Sequence, residues 1–143
     1  MSASSLRLFH KIQLAAHRLK KTADRALVEA AGITVAQAAV LTLVADRQPV
    51  SQKAVAAALG FNESAVTAMV RRLLADGLLE RERAAEDARA WRLRLSAAGS
   101  EALAAARGPF NDINAAIDSA LRETDDAAFA AALDRLAARF RGA

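Results

Sequence analysis

The sequence predicts a mainly α-helical fold with a short basic β-ribbon set among the helices, and three observations carry that prediction. Apolar residues recur at intervals of three and four over most of the 143 residues, which is the period of an amphipathic helix. That period gives way to strict alternation in "RAWRLRLS", where Trp91, Leu93 and Leu95 alternate with Arg92 and Arg94, as in a strand with one packed and one solvated face. Capping residues and glycines, among them Thr34, Ser51, Gly60, Asn62 and Gly77, divide the chain into short and long helical segments.

A chain of this length makes about one domain with a packed core. Hydrophobic residues are 54% of it, but much of that share is alanine, which favours helix while burying little area, and aromatic residues are only 4%. An extended helical protein that completes its core against a partner chain fits this composition. Cysteine is absent, which excludes disulfides, thiolate metal sites and thiol redox sensing and makes a cytoplasmic setting the expectation. Arg7, His10 and Lys11 break the N-terminal apolar run, so no signal peptide is expected. The longest uncharged run, Ala30 to Ala45, falls short of the ~20 apolar residues that span a bilayer, and no membrane partner is expected.

The net charge of +4 and pI of about 10.3 are compatible with a polyanionic partner. The charge is unevenly spread. Residues 1–29 carry six basic and two acidic side chains, residues 60–96 seven and six, and residues 97–143 five and seven. Local pattern, more than bulk charge, therefore carries the functional inference.

In chain order, Ser5 to Ala30 reads as one long helix with a stripe of Leu8, Ile12, Ala15, Leu19, Ala23 and Ala26. Leu6, Phe9 and Leu14 add apolar surface off that stripe, which calls for a partner helix. Gly32 suits a left-handed C-terminal turn. Thr34 and Gln37 form a capping box for a helix that carries Val40, Leu41 and Val44 inward and stops near Asp46, with Pro49 beyond it. Ser51 caps a short helix bearing Val55, Ala58 and Leu59 and ending at Gly60. Asn62 caps the next helix, which Gly77 closes. Its Val66, Val70 and Leu73 form one apolar stripe, and Ser64, Thr67, Ala68 and Arg71 stand on the other face.

Leu79 to Arg83 pairs with the alternating strand through "AAEDA", which lacks a two-residue turn signal and calls for a longer, mobile tip. Short helix, turn, helix and basic ribbon in this order read as a winged helix-turn-helix whose second helix enters the major groove of double-stranded DNA. Ser96 caps a long helix that Gly108 and Pro109 are expected to kink or break. Phe110, Ile113, Ile117 and Leu121 continue an apolar stripe. Thr124 is the expected cap of a last helix with Asp125 and Asp126 in its first turn and Phe129, Leu133, Leu136 and Phe140 at helical spacing. One domain over 1–143 is expected, with dimerisation helices at 1–31 and 99–143 around a DNA-binding lobe at 33–98.

The runs "ITVAQAAVLTLV", "VSQKAVAAALGFNESAVTAMVRRLLADGLLERE" and "EDARAWRLRLSAAGSEAL" resemble the MarR family of bacterial transcriptional regulators, homodimeric winged helix-turn-helix proteins. The resemblance covers essentially the whole chain. Its most specific parts are the "SAVT" that opens the recognition helix, the "DGLLER" exit into the wing, the Asp87-x-Arg89 pair and the "LSAAG" that leads on. It implies a homodimer, usually a repressor, on a roughly palindromic operator, with small aromatic or phenolic acids as effectors. By position, Ser64 and Thr67 face bases or phosphates, Arg71 and Arg72 lie toward the backbone, Arg89 reaches the minor groove, and Asp87 holds the tip; Asn62 and Ala68 complete the expected DNA-binding set. Two positions depart from the family pattern. Ala68 stands where arginine is common after the threonine, and Arg71 where an acidic residue is usual. Ala68 can still meet a thymine methyl.

The alternative is a dimeric winged module that docks a protein instead of DNA. Arg92 and Arg94 read as solvated strand residues or phosphate contacts, and Arg81 and Arg83, flanked by Glu80 and Glu82, as surface cross-strand pairs of small energy. His10 and His17 lie about 10 Å apart along one helix, too far to share a metal. The residues implied for an effector pocket are His10, His17, Val40, Leu41 and Val44. No nucleophile, metal constellation or phosphate loop is evident, so neither an enzyme nor a metal or cofactor is expected.

Overall fold

The computed structural model describes residues 2–142, so the outer limits of the expected dimerisation segments, Met1 and Ala143, lie outside the described residues. Two compact units are present, one reaching Phe110 and one starting at Asn111. After a 3-10 turn at Ala3–Leu6, the first unit contains α1 (Arg7–Ala31), α2 (Val35–Arg47), α3 (Gln52–Leu59), α4 (Glu63–Ala75), β1 (Leu79–Arg83), β2 (Trp91–Leu95) and the start of α5 (Ala97–Ala120). The rest of α5 and α6 (Asp126–Arg139) belong to the second.

The capping chemistry read from the sequence sets the helix starts. The Thr34 hydroxyl accepts from the Gln37 amide at 3.1 Å while Gln37 Oε1 accepts from the Thr34 amide at 2.9 Å. A third group joins them, since Asp24 Oδ1 of α1 accepts from the Val35 amide at 2.9 Å and so ties α1 to the start of α2. Ser51 and Asn62 accept from Ala54 and Ser64. At Gly32 the backbone turns left-handed, with φ of 70° and its amide on Val28 O at 3.0 Å.

The core lies between α2, α3, α4 and the ribbon. Leu27, Val40, Leu41, Val44, Val55, Val66 and Leu73 are fully buried, and Ile33, Val70, Leu79 and Leu93 nearly so. In α3 the second buried residue is Ala56; Ala58 is exposed. The strands pair antiparallel in the register Leu79 with Leu95, Arg81 with Leu93 and Arg83 with Trp91. Val50 adds a one-residue third strand, exchanging both backbone hydrogen bonds with Leu93, and Gln48 Oε1 accepts from the Leu95 amide. The Ser96 hydroxyl donates to Gly77 O at 2.6 Å and accepts from the Gly99 amide at 2.9 Å, which joins the wing to the first turn of α5.

Of the kink or break expected at Gly108 and Pro109, the break does not occur: helix α5 continues through Pro109, whose fixed φ is itself helical. Two other sequence expectations are corrected. The cap of α6 is Asp125, whose Oδ1 accepts from Ala128 at 3.1 Å, and not Thr124, whose amide is taken by Leu121 O in the preceding turn. Trp91 is not in the core. It is 40% exposed, because the packed face of the ribbon ends at Leu93.

Of the α1 stripe only Ala23 is buried; Leu8, Phe9, Ile12 and Leu19 are exposed. In the second unit, α6 has no buried residue, and Phe129, Leu133, Leu136 and Phe140 share one exposed face. Among the described residues no single helix is long and apolar enough to cross a membrane.

Asp24 gives the α1–α2 junction a pH dependence. The Lys20 ammonium, 2.9 Å away, and then the Val35 amide hold its carboxyl below the usual range, against a smaller opposing effect of burial. A depressed folded-state pKa stabilises above the unfolded value and is lost as pH falls through the folded one. Asp24→Asn should therefore show a smaller loss of thermal stability than the parent chain between about pH 5 and pH 2. Superimposable pH profiles would count against the junction.

Candidate nucleic-acid interface

Helix α4 begins where the Asn62 side chain satisfies the Ser64 amide at 2.8 Å, and its buried stripe of Val66, Val70 and Leu73 fixes which side faces water. On the opposite side Ser64, Ala65, Ala68, Arg71 and Arg72 are all exposed. Two small side chains, Ala65 and Ala68, leave the helix surface low enough for close approach to a groove edge, and both arginines lie about one turn beyond Ala68. Arg71 forms no ion pair among the described residues. Arg72 is bound to Asp76 at 3.0 Å, an exposed pair of small energy that a phosphate can displace.

Thr67 has a different position from Ser64. It is half-buried; its hydroxyl donates to Glu63 O at 2.9 Å and accepts from Gln52 Nε2 at 2.7 Å, so it braces α3 against α4. Gln52 went unnoticed in the sequence because the pair is 15 residues apart and forms only once the two helices have packed.

The wing tip is a loop closed by its own hydrogen bonds. Asp87 Oδ1 accepts from the Arg89 amide at 2.9 Å, the Ala90 amide bonds Asp87 O, and the Ala84 amide bonds Ala90 O. An Asx turn of this kind projects Arg89, which is exposed and without an ion pair among the described residues. Arg83 also holds the tip, donating to Ala88 O at 2.7 Å.

On the ribbon, two expectations change. Arg92 and Arg94 are not free: Arg92 pairs with Glu86 at 2.6 Å and Arg94 with Glu82 at 2.8 Å. The Glu86 carboxyl is held low by its own backbone N–H and then by Arg92. Arg81 and Arg83 form no glutamate pairs among the described residues. Their guanidinium carbons lie 4.5 and 3.9 Å from the centre of the Trp91 ring.

Residues 31–90 match the MarR family model. Over that segment the chain is similar to MarR-family proteins. None of the curated proteins matches it in sequence. Solved structures similar to it include the MepR–DNA complex of S. aureus, 22% identical over 98% of this chain and 99% of that one, with a TM-score of 0.81. PcaV from Streptomyces coelicolor with its natural ligand is 25% identical over 95% and 94%, at 0.74. CouR from Rhodococcus jostii RHA1, bound to p-coumaroyl-CoA, is 22% identical over 96% and 94%, at 0.75.

The matched segment takes in α2, α3, α4 and the wing as far as Ala90. It also carries most of the lining of an open cavity of about 310 Å³. Val35, Ala38, Ala39, Thr42, Leu43 and Asp46 line it from one side of α2, together with Leu59 and Phe110. Val40, Leu41 and Val44, expected at a pocket, point to the opposite side of α2 and are sealed in the core. His10 and His17 are exposed on α1 and do not line the cavity. Hydrophobic period marks which residues are inward and cannot tell a filled core from the wall of a pocket. Among the described residues no cluster of three or more His, Asp or Glu side chains is placed to hold a metal ion.

Proposed function

We propose that the chain is a homodimeric, sequence-specific transcriptional regulator, acting as a repressor in the cytoplasm. Helix α4 enters the major groove, Arg89 reaches the minor groove, and two copies read a pseudo-palindromic operator with half-sites one helical turn or a multiple apart. The observation that carries this reading is the division of α4. One side is locked into the core by Val66, Val70 and Leu73, and the other shows small, polar and basic side chains beside a braced arginine-tipped loop. MepR's complex with DNA and the ligand complexes of PcaV and CouR agree with it.

A small aromatic or phenolic effector would release the DNA from the cavity on α2, whose volume suits one aromatic ring and whose lining is mainly apolar. Asp46, the only charged lining residue among the described residues, favours a neutral phenol over a phenolic acid.

Fluorescence titration with labelled duplexes tests the assignment. Arg71→Ala and Arg89→Ala should each weaken binding to the DNA upstream of the coding sequence by about 1–3 kcal/mol. Unchanged affinity in both variants would favour a protein as the partner of this surface.

A further inference from the structure

The ribbon treats its four strand arginines unequally. Arg92 and Arg94, on one face, are each neutralised by a glutamate at hydrogen-bonding distance. Arg81 and Arg83, on the other face, have no acidic partner among the described residues and lie against the exposed indole of Trp91. Stacking on an indole holds a guanidinium by its flat surface and leaves the N–H groups at its edge free for a planar acceptor such as phosphate. It also removes side-chain freedom before binding, so less entropy is lost when a phosphate arrives. Arg83 spends one donor on Ala88 O, next to Arg89, which makes the stack continuous with the wing tip.

We infer that Arg81 and Arg83, stacked on Trp91, form a second DNA contact that grips the phosphodiester backbone beside the groove entered by Arg89. The inference rests on the DNA-binding reading above. Phosphates carry no base sequence, so this contact adds affinity equally for any duplex. If the stack served only to shield Trp91 from water, it would contribute nothing that depends on salt.

Salt-dependent titration separates the two. Each phosphate contact contributes about 0.9 to the slope of log K against log salt concentration, because it releases a condensed counterion. Arg81→Ala should flatten that slope by about 0.9 for each phosphate it no longer neutralises, and weaken operator and shuffled duplex by the same factor. Arg92→Ala, from the neutralised face, should change the slope far less. The parent chain's only tryptophan should show altered fluorescence on binding either duplex. Arg81 is exposed, so a melting curve like the parent's is expected for its variant and confirms that it folds. An unchanged slope in Arg81→Ala, with specific binding by the parent intact, overturns this contact and leaves the proposed function standing. Failure of the parent to bind duplex DNA overturns both.

Discussion

A chain carrying Leu133→Asp and Leu136→Asp should sediment as a monomer at micromolar concentration and lose about 10²–10⁴ of its affinity for a two-half-site operator, the gain that linking two binding modules provides. In the single chain, α6 has no buried residue, while Phe129, Leu133, Leu136 and Phe140 form a continuous apolar face. Soluble proteins rarely leave such a face wet, because each square ångström of apolar surface removed from water contributes about 25 cal/mol. An unpaired carboxylate inside the proposed dimer contact would cost several kcal/mol. Both leucines are already exposed in the chain, and neither lies in the unit that contains α4 and the wing, so each monomer should keep its winged-helix fold and its weak, salt-sensitive hold on any duplex. A stable dimer carrying both substitutions would show that pairing uses another surface.

Gly99→Ala should destabilise the winged-helix unit by about 2 kcal/mol and lower its melting temperature by several degrees. A Cβ at this position would lie 2.1 Å from Leu78 O and 2.7 Å from Leu95 Cδ1, so the start of α5 must move off the ribbon. The obstacle is a backbone carbonyl that already accepts from the Ser96 amide and cannot rotate away. Alanine's better helix propensity returns about 1 kcal/mol of the cost. Gly108 is the control on the same helix: a Cβ there meets nothing within 4 Å, so Gly108→Ala should be neutral or stabilising by up to about 1 kcal/mol. Equal melting points for the two variants would show that the α5–ribbon junction is looser than the distances imply.

Much of the fold was legible because it rests on local rules. Thr34, Ser51 and Asn62 cap the helices the sequence assigns to them, and the 66-70-73 stripe is the buried side of α4. Alternation in 91–95 located the second strand, but the number of residues that the core covers is a property of the packed unit. Trp91 accordingly fell outside it. The partners of that tryptophan follow from register: once the tip spans Ala84 to Ala90, Arg83 must lie opposite Trp91. Thr67 looked like a groove-facing hydroxyl because its helical position is intermediate, and only the packing of α3 turns it toward Gln52. The cavity escaped for the reason that residues on both sides of α2 are apolar, so periodicity cannot say which side is filled.

Selection of duplexes from a random-sequence library by the purified parent chain tests the central claim most directly. Two α4 helices related by a two-fold axis should enrich an inverted repeat whose half-site centres lie about 10–10.5 base pairs, or a multiple of that, apart. Enrichment of a single unrepeated site, or of nothing beyond the starting library, would contradict it.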